Sequence, residues 1–98
     1  MTKKPPTKAE KDHMAKVASL GCIICKQPAE IHHITGAGMA LRSKHWDVLP
    51  LCHIHHRTGN YGVAIHAGTK EWERIHGTQK ELLQKVIDKL QYNNKFNL

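Results

Sequence analysis

The residues best suited to chemistry lie in the middle of the chain, where histidines crowd around two short apolar runs. The first run, Ala29-Glu30-Ile31-His32-His33-Ile34-Thr35, contains a His pair, and the second, from Asp47 to His56, ends in a Cys-x-x-His-His cluster. Neutral imidazole binds divalent metal ions, and it accepts protons near neutral pH. This concentration of imidazoles indicates metal binding, acid–base chemistry, or both.

Two residue pairs have the spacing of a structural zinc site. Cys22 and Cys25 form a CxxC motif, and Cys52 and His55 form a CxxH motif further along. A two-residue gap allows both members of a pair to face one tetrahedral ion, so the four residues predict a structural Zn²⁺ that adds folding free energy to a small core. The competing interpretations are a redox CxxC of the thioredoxin type for the first pair, and a core thiol beside a surface histidine for the second.

The zinc assignment leaves the His pair and His56 without a role. Adjacent side chains on a strand face opposite sides of the sheet, so His32 and His33 cannot both bind one ion unless the strand ends or bulges there. We expect a division of labour, in which one of the two binds a metal and its neighbour acts as a base. A divalent ion held by His32 and His56 would keep positions open for water and a phosphate oxygen.

Helices at both ends and a strand pair between them must position these residues. Thr7 and Glu10 have the spacing of a capping box, which predicts a helix over about residues 8–20. Residues 29–34 and 47–51 are typical of short strands, residues 35–45 of a glycine-containing loop, and Cys52 to about Thr58 of the opening of a helix.

The C-terminal third is predicted to be helical. Thr69 is expected to cap a helix that contains Trp72 and Ile75 and ends at Gly77. A second capping box then precedes an apolar stripe at helical period, which predicts a core helix, with a dimer contact as the alternative. The box is Thr78-x-x-Glu81, and the stripe is Leu82, Leu83, Val86, Ile87 and Leu90.

Composition favours a polyanionic partner and a reducing compartment. The formal net charge is +7 and the sequence pI is about 9.5, which suits phosphate binding, with a purely solubilising surface as the alternative. Three cysteines argue against a complete disulfide framework. The chain has neither a secretory signal nor an apolar run of the roughly 20 residues that a membrane span needs, so we expect a cytoplasmic protein.

The combined motifs resemble those of the HNH (ββα-metal, or His-Me finger) endonucleases. In that superfamily a CxxC knuckle precedes an Asp-His or His-His pair on one strand, an Asn opens the next strand, and a Leu-Cys-x-x-Cys-His or Leu-Cys-x-x-His-His segment begins a helix. The short form and the run from AEIHHI through LPLCHIHHRTG to IHAGTKEWERIHG are similar to the phage recombination-enhancement (Ref-like) RecA-dependent nucleases. The resemblance covers about residues 20–77.

The resemblance implies a role for each matching position. His33 corresponds to the general base, His32 to the metal ligand that is often Asp, and His56 to the metal ligand on the helix. Asp47 stands where the family has an Asn that orients the base; it could accept an imidazole N–H but would raise the pKa of that ring. His66 is a candidate third metal ligand, and a structural histidine bonded to its loop is the alternative. Candidate phosphate contacts, each with a solvated alternative, are Arg42, Lys44 and Arg57.

The sequence therefore predicts an α+β fold with a ββα-metal core at about residues 22–66 and flanking N- and C-terminal helices. A flexible basic arm over residues 1–6 precedes a single domain at 7–92, and 93–98 form a loose tail. The expected function is metal-dependent hydrolysis of DNA phosphodiester bonds by a monomer or weak dimer, with Mg²⁺, Mn²⁺ or Zn²⁺ as catalytic ion. RecA-coated single-stranded DNA is the partner that the resemblance implies. A zinc-knuckle module that binds nucleic acid without catalysis is the main alternative, and a degenerate nuclease fold used for protein contacts is another.

Overall fold

The described part of the chain forms a small α+β fold with one two-stranded sheet. The computed structural model describes residues 5–34 and 45–96, and their side chains as far as Tyr92. Most of the predicted loop at 35–45, including Arg42 and Lys44, lies outside this range, as does most of the predicted basic arm. The elements in chain order are α1 (Lys8–Ser19), β1 (Glu30–His33), β2 (Val48–Leu51), a π-helical turn (Ile54–Thr58), a 3₁₀ turn (Ile65–Ala67), α2 (Thr69–His76) and α3 (Gln79–Phe96).

Both predicted capping boxes are confirmed. Thr7 Oγ1 accepts a hydrogen bond from the Glu10 backbone N–H at 3.1 Å, and Glu10 Oε1 accepts one from the Thr7 N–H at 2.8 Å. At the start of α3 the corresponding distances for Thr78 and Glu81 are 3.1 and 2.9 Å. These reciprocal bonds satisfy N–H groups that have no partner inside a helix, and they fix where α1 and α3 begin.

Two predicted boundaries are wrong. Gly68 occupies the cap position of α2, and Thr69 is the first helical residue, with its hydroxyl donating backward to the Ile65 carbonyl at 3.5 Å. The tail expected from residue 93 onward is helical as far as Phe96. No Gly or Pro occurs between Leu90 and Phe96, so nothing in this segment ends the helix that the apolar stripe begins.

The two strands are antiparallel, with His32 opposite Leu49 and His33 opposite Val48. All four residues of β2 are buried, because both α1 and α3 contact this strand. Burial on both faces explains why β2 is a continuous apolar run without polar alternation. β1 is less covered, and of its four residues only His32 is buried.

The core joins the sheet to all three helices. Trp72 of α2 is completely buried, and its indole N–H donates to the Val63 carbonyl at 3.1 Å. The stripe on α3 supplies Leu82 and Val86 to the same cluster, with Leu83 and Leu90 packed at its margin. No helix in the described part of the chain is long and apolar enough to cross a membrane.

Candidate metal centres

A tight turn between α1 and β1 presents the first cysteine pair. The Cys22 N–H donates to the Gln27 carbonyl and the Lys26 N–H to the Cys22 carbonyl, both at 2.8 Å. Gly21 enters the turn at φ +81°, where a Cβ would lie 2.8 Å from the Lys26 carbonyl oxygen. Only glycine fits this approach without strain. The Ile23 N–H donates to Pro50 of β2 at 2.9 Å, so the turn is fastened to the sheet.

Four ligand atoms gather where this turn meets the end of β2. The sulfurs of Cys22, Cys25 and Cys52 and a ring nitrogen of His55 all lie within 4.8 Å of one another. Cys25 Sγ is 3.6 Å from Cys52 Sγ, and His55 Nδ1 is 3.2 Å from Cys52 Sγ and 3.7 Å from Cys22 Sγ. A tetrahedral zinc ion with bonds of about 2.3 Å separates its sulfur ligands by about 3.8 Å. This group, here called the sulfur cluster, consists of Cys22, Cys25, Cys52 and His55. It has the donors and the size of a structural metal site such as one for zinc.

Backbone N–H groups support negative charge on two of the three sulfurs. The Ile24 N–H donates to Cys22 Sγ at 3.4 Å, and the His55 N–H donates to Cys52 Sγ at 3.5 Å. Burial works against ionisation of the Cys22 thiol, but the backbone N–H groups of Cys52, Cys25 and Ile24 outweigh it and lower its pKa. A thiolate is the form that binds a metal.

His76 of α2 lies beside the sulfur cluster. Its ring centroid is 5.7 Å from that of His55, and its Nε2 is buried without a hydrogen-bond partner among the described residues. Burial, followed by the proximity of His76, lowers the pKa of His55. Both effects favour the neutral imidazole that metal binding requires.

A second group of ligand atoms is formed by three histidines from three elements. His32 comes from β1, His56 from the π-helical turn and His66 from the 3₁₀ turn, and one ring nitrogen of each lies within 4.8 Å of the others. His56 Nε2 and His66 Nε2 are 3.0 Å apart. Two imidazole nitrogens lie this close when they share a proton, and the same distance is about the edge of an octahedral site with bonds near 2.1 Å. His32 is buried and His66 exposed, so the group opens toward solvent on one side.

His32 is held in its neutral form. Burial is the largest effect and lowers its pKa to about 4. The hydrogen bond to Gln79 is the next largest and raises the pKa, and the neighbouring rings of His56, His66 and His33 add smaller lowering effects. Its Nε2 lies 2.9 Å from Gln79 Oε1. Because an amide oxygen only accepts, Nε2 carries the proton in this pairing, and Nδ1 carries the lone pair.

His56 is held by an acidic residue of β1. Glu30 Oε1 lies 2.7 Å from His56 Nδ1 and 2.8 Å from Arg57 Nε, and Glu30 Oε2 lies 3.2 Å from Arg57 Nη2. The Arg57 hydrogen bonds, followed by that of His56, lower the pKa of Glu30 to about 2. Arg57, predicted as a phosphate contact, thus has two of its nitrogens bonded to Glu30.

The predicted base and its orienting partner lie at the end of the strand pair. His33 is exposed, and its Nε2 is 3.2 Å from His45 Nδ1. It is not one of the three histidines of the second group. Asp47 is buried, and its carbonyl accepts a hydrogen bond from the Ile34 N–H at 3.2 Å. The structure therefore brings together His32, His56 and His66, and leaves His33 outside this group, beside His45 at the strand end.

The model of a family described as a protein of unknown function (DUF968) matches residues 2–91. The chain belongs to the DUF968 family. No curated protein matches the chain. The matched range in this DUF968 member includes the four residues of the sulfur cluster and the three histidines.

The sequence does not predict two contacts that the histidines make in this DUF968 protein. Glu30 stands two residues before His32, and the alternation of side chains along a strand puts both on one face. The sequence therefore carries a signal that Glu30 lies near the histidine group. Gln79 meets His32 across 47 residues of sequence. No local pattern indicates such a contact, because it depends on how α3 packs against the sheet.

Proposed function

We propose that this protein is a metal-dependent endonuclease of the HNH (ββα-metal) type that hydrolyses phosphodiester bonds in DNA. The observation that carries the proposal is the presence of two distinct groups of ligand atoms around the strand pair and the turns that flank it. The sulfur cluster has four donors, the number found in closed structural zinc sites. The histidine group has three donors and an exposed member, the arrangement of sites that keep positions open for water and substrate.

The donors of the histidine group fit a first-row transition ion. His32, His56 and His66 would hold it through neutral imidazoles, which suit Mn²⁺, Co²⁺ or Zn²⁺ better than Mg²⁺, whose preferred ligands are oxygens. When bound, such an ion polarises a phosphoryl oxygen and stabilises the charge that develops there. Burial of His32 supports this role, since it keeps the ring unprotonated at neutral pH.

His33 is the proposed general base. Its exposed ring lies next in sequence to His32, at the end of β1, where it can meet water and substrate. An imidazole in its neutral form can take a proton from water at physiological pH. Asp47, whose backbone carbonyl accepts from the Ile34 N–H just beyond the strand pair, is the proposed orienting residue, since its carboxylate can accept an imidazole N–H.

Binding of DNA would come from the excess of positive charge. Exposed lysines on α1 suit contacts with a phosphate backbone, which carry little sequence information. They are Lys8, Lys11 and Lys16. A RecA filament on single-stranded DNA is proposed as a partner only because the sequence motifs resemble those of the Ref-like nucleases.

A cleavage assay with plasmid and single-stranded DNA tests the proposal. Zinc-loaded protein is supplied with Mn²⁺ or Mg²⁺, with and without RecA filaments, alongside His33→Ala and the control His53→Ala. His53 is also exposed and lies outside both ligand groups. We expect cleavage that requires the added ion, is lost in His33→Ala with DNA binding retained, and persists in His53→Ala. Equal cleavage by the two variants would remove His33 from the mechanism.

A non-catalytic zinc-knuckle module is the second candidate. The four-donor sulfur cluster and the charge of +7 favour it, because neither feature requires catalysis. It gives no role to the three clustered histidines. DNA binding without cleavage under every ion and with every substrate would establish the module in place of the nuclease.

A further inference from the structure

A single carboxylate ties the first strand to the π-helical turn. Glu30 of β1 accepts from His56 Nδ1 through Oε1, and it receives the Arg57 guanidinium at both oxygens. His56 and Arg57 are consecutive in sequence, so one acidic side chain holds two neighbouring residues of the turn. The arrangement goes beyond a surface ion pair, because one of its partners is a proposed metal ligand.

We propose that Glu30 is a positioning residue for the three-histidine group, and that Arg57 holds Glu30 in place for this task. Glu30 fixes the His56 ring as the Nδ1–H tautomer, with Nε2 turned toward His66. The inference rests on the proposed metal role of the three histidines, and it adds two residues that act through His56.

The tautomer follows from the donor and acceptor chemistry of the pair. An ionised carboxylate can only accept, so at 2.7 Å from Glu30 the hydrogen belongs to His56 Nδ1. A neutral ring then carries its lone pair on Nε2, the nitrogen that lies 3.0 Å from His66 Nε2. A carboxylate bonded to the far nitrogen of a metal-binding histidine also raises the basicity of the ring, which strengthens it as a ligand.

Arg57 restricts the rotation of the carboxylate. Its Nε and Nη2 contact the two oxygens of Glu30 at 2.8 and 3.2 Å. A fork of this kind fixes the plane of the carboxylate as well as its position. The pair of Glu71 and Arg74 on α2 has the same fork, with Nε 2.8 Å from Oε1, and no imidazole bonded to its carboxylate among the described residues. It therefore provides a matched control.

The first measurement is the tautomer of His56 by ¹H–¹⁵N NMR of the ring nitrogens in zinc-loaded protein. The wild type and Glu71→Gln are expected to show a protonated Nδ1 and an unprotonated Nε2. In Glu30→Ala we expect the signals to shift toward a mixture of the two tautomers. An unchanged Nδ1–H tautomer in Glu30→Ala would overturn the proposal.

The second measurement is the affinity of the histidine group for Co²⁺ or Mn²⁺, with the sulfur cluster already filled by zinc. Glu30→Ala should weaken binding roughly 10–100-fold, as loss of such an outer partner does elsewhere. Glu30→Gln, which retains an acceptor but no charge, should fall between Glu30→Ala and the wild type. Glu71→Gln should match the wild type, and every variant should keep its zinc. Affinity in Glu30→Ala within twofold of that of Glu71→Gln would also overturn the proposal.

Arg57→Ala separates positioning from a direct phosphate contact. If Arg57 orients Glu30, the variant loses affinity for Co²⁺ in the same direction as Glu30→Ala, though to a smaller extent. A variant with weaker DNA binding and unchanged Co²⁺ affinity would remove Arg57 from the proposal. Neither readout depends on cleavage. A wild type that cleaves no DNA would contradict the proposed nuclease function, and the two readouts would still test the role of Glu30. A wild type that binds no second ion would defeat the metal role, while the tautomer measurement would still decide whether Glu30 sets His56.

Discussion

His55 and His56 are neighbours in sequence, yet their rings belong to different groups of ligand atoms. His55 Nδ1 lies 3.2 Å from Cys52 Sγ, whereas His56 Nε2 lies 3.0 Å from His66 Nε2. Consecutive side chains on a helical turn are separated by roughly 100° or less around its axis. The turn that carries them is π-helical, with the Gly59 N–H donating to the Ile54 carbonyl at 3.0 Å, and it supplies one imidazole to each group.

Because the two histidines are adjacent, we expect the histidine group to depend on metal binding at the sulfur cluster, but not the reverse. Filling the sulfur cluster fixes His55, and His56 follows on the same turn. Cys52→Ser should therefore remove zinc from the chain and also weaken binding of a second ion. Metal binding to small zinc domains supplies about 10 kcal/mol or more of folding free energy, and losing only 3 kcal/mol of it lowers Tm by roughly 12–24 °C.

A substitution in the histidine group should affect that group alone. His56→Ala is expected to keep one zinc per chain and to lower Tm far less than Cys52→Ser does. Elemental analysis after dialysis and thermal unfolding with and without chelator measure both effects. A Cys52→Ser variant that retains zinc and the wild-type Tm would show that the sulfur cluster is not a structural metal site.

The second group should discriminate among divalent ions. Its three ligands in the described residues are imidazoles, so binding is expected to be at least tenfold tighter for Co²⁺ or Mn²⁺ than for Mg²⁺. Titration calorimetry on zinc-loaded protein measures this, and His66→Ala provides the comparison, since it removes one ligand that is exposed in the fold. Equal affinities for Mg²⁺ and Co²⁺, unaffected by His66→Ala, would exclude a metal site at these histidines.

The local features of this fold were predictable from sequence. The two capping boxes, each of the two strands and the helical stripe of α3 depend on residues within a few positions of one another. The sequence predicts Thr69 as the cap of α2 because a Thr before an apolar pattern resembles a cap, whereas Gly68 reaches the cap position with an extended φ of 170°. It predicts too early an end for α3, because polar residues after Leu90 signal exposure and do not by themselves end a helix.

The candidate site was predictable only as a set of residue types. Spacing grouped Cys22 with Cys25 and Cys52 with His55, but it could not show which nitrogen each ring presents. That choice depends on contacts such as the one between Glu30 and His56, which joins positions 26 residues apart. The sequence predicts Arg57 as a phosphate contact from its residue type, and this stays a prediction. Its bonds to Glu30 have no signal in the sequence, because they exist only once β1 lies beside the turn.

Gln79 offers a test of the histidine group through stability. It is buried, and its Oε1 is 2.9 Å from Nε2 of the equally buried His32. Gln79→Ala leaves that nitrogen without its acceptor, and an unsatisfied buried polar group costs about 1–3 kcal/mol. Denaturant unfolding of zinc-loaded protein measures the loss. Gln84→Ala is the control, because Gln84 is exposed and bonds only to Asp88 at 3.0 Å in the described structure; equal losses in the two variants would contradict a structural role for the contact.

The start of α3 gives a prediction with a defined pH dependence. Thr78→Ala removes the hydroxyl that caps the helix, at an expected cost of about 1 kcal/mol, or roughly 4–8 °C in Tm. The Thr78 backbone N–H, followed by its hydroxyl, lowers the pKa of Glu81 from its ordinary value of 4.5. Because the folded state holds Glu81 ionised, its contribution is present above pH 4.5 and is lost as the pH falls through the lowered value.

Glu81→Gln tests that sign directly. The variant should be less stable than the wild type at neutral pH, and the difference should shrink as the solution is acidified below pH 4.5. Unfolding free energies across the acid range measure it, with Asp88→Asn as the control at an exposed carboxyl outside the cap. A difference that stays constant, or that grows on acidification, would show that the charge of Glu81 does not stabilise the cap. The reason for the expected sign is that protonation removes the negative charge that strengthens the hydrogen bond from the Thr78 N–H, which is 2.9 Å from Glu81 Oε1.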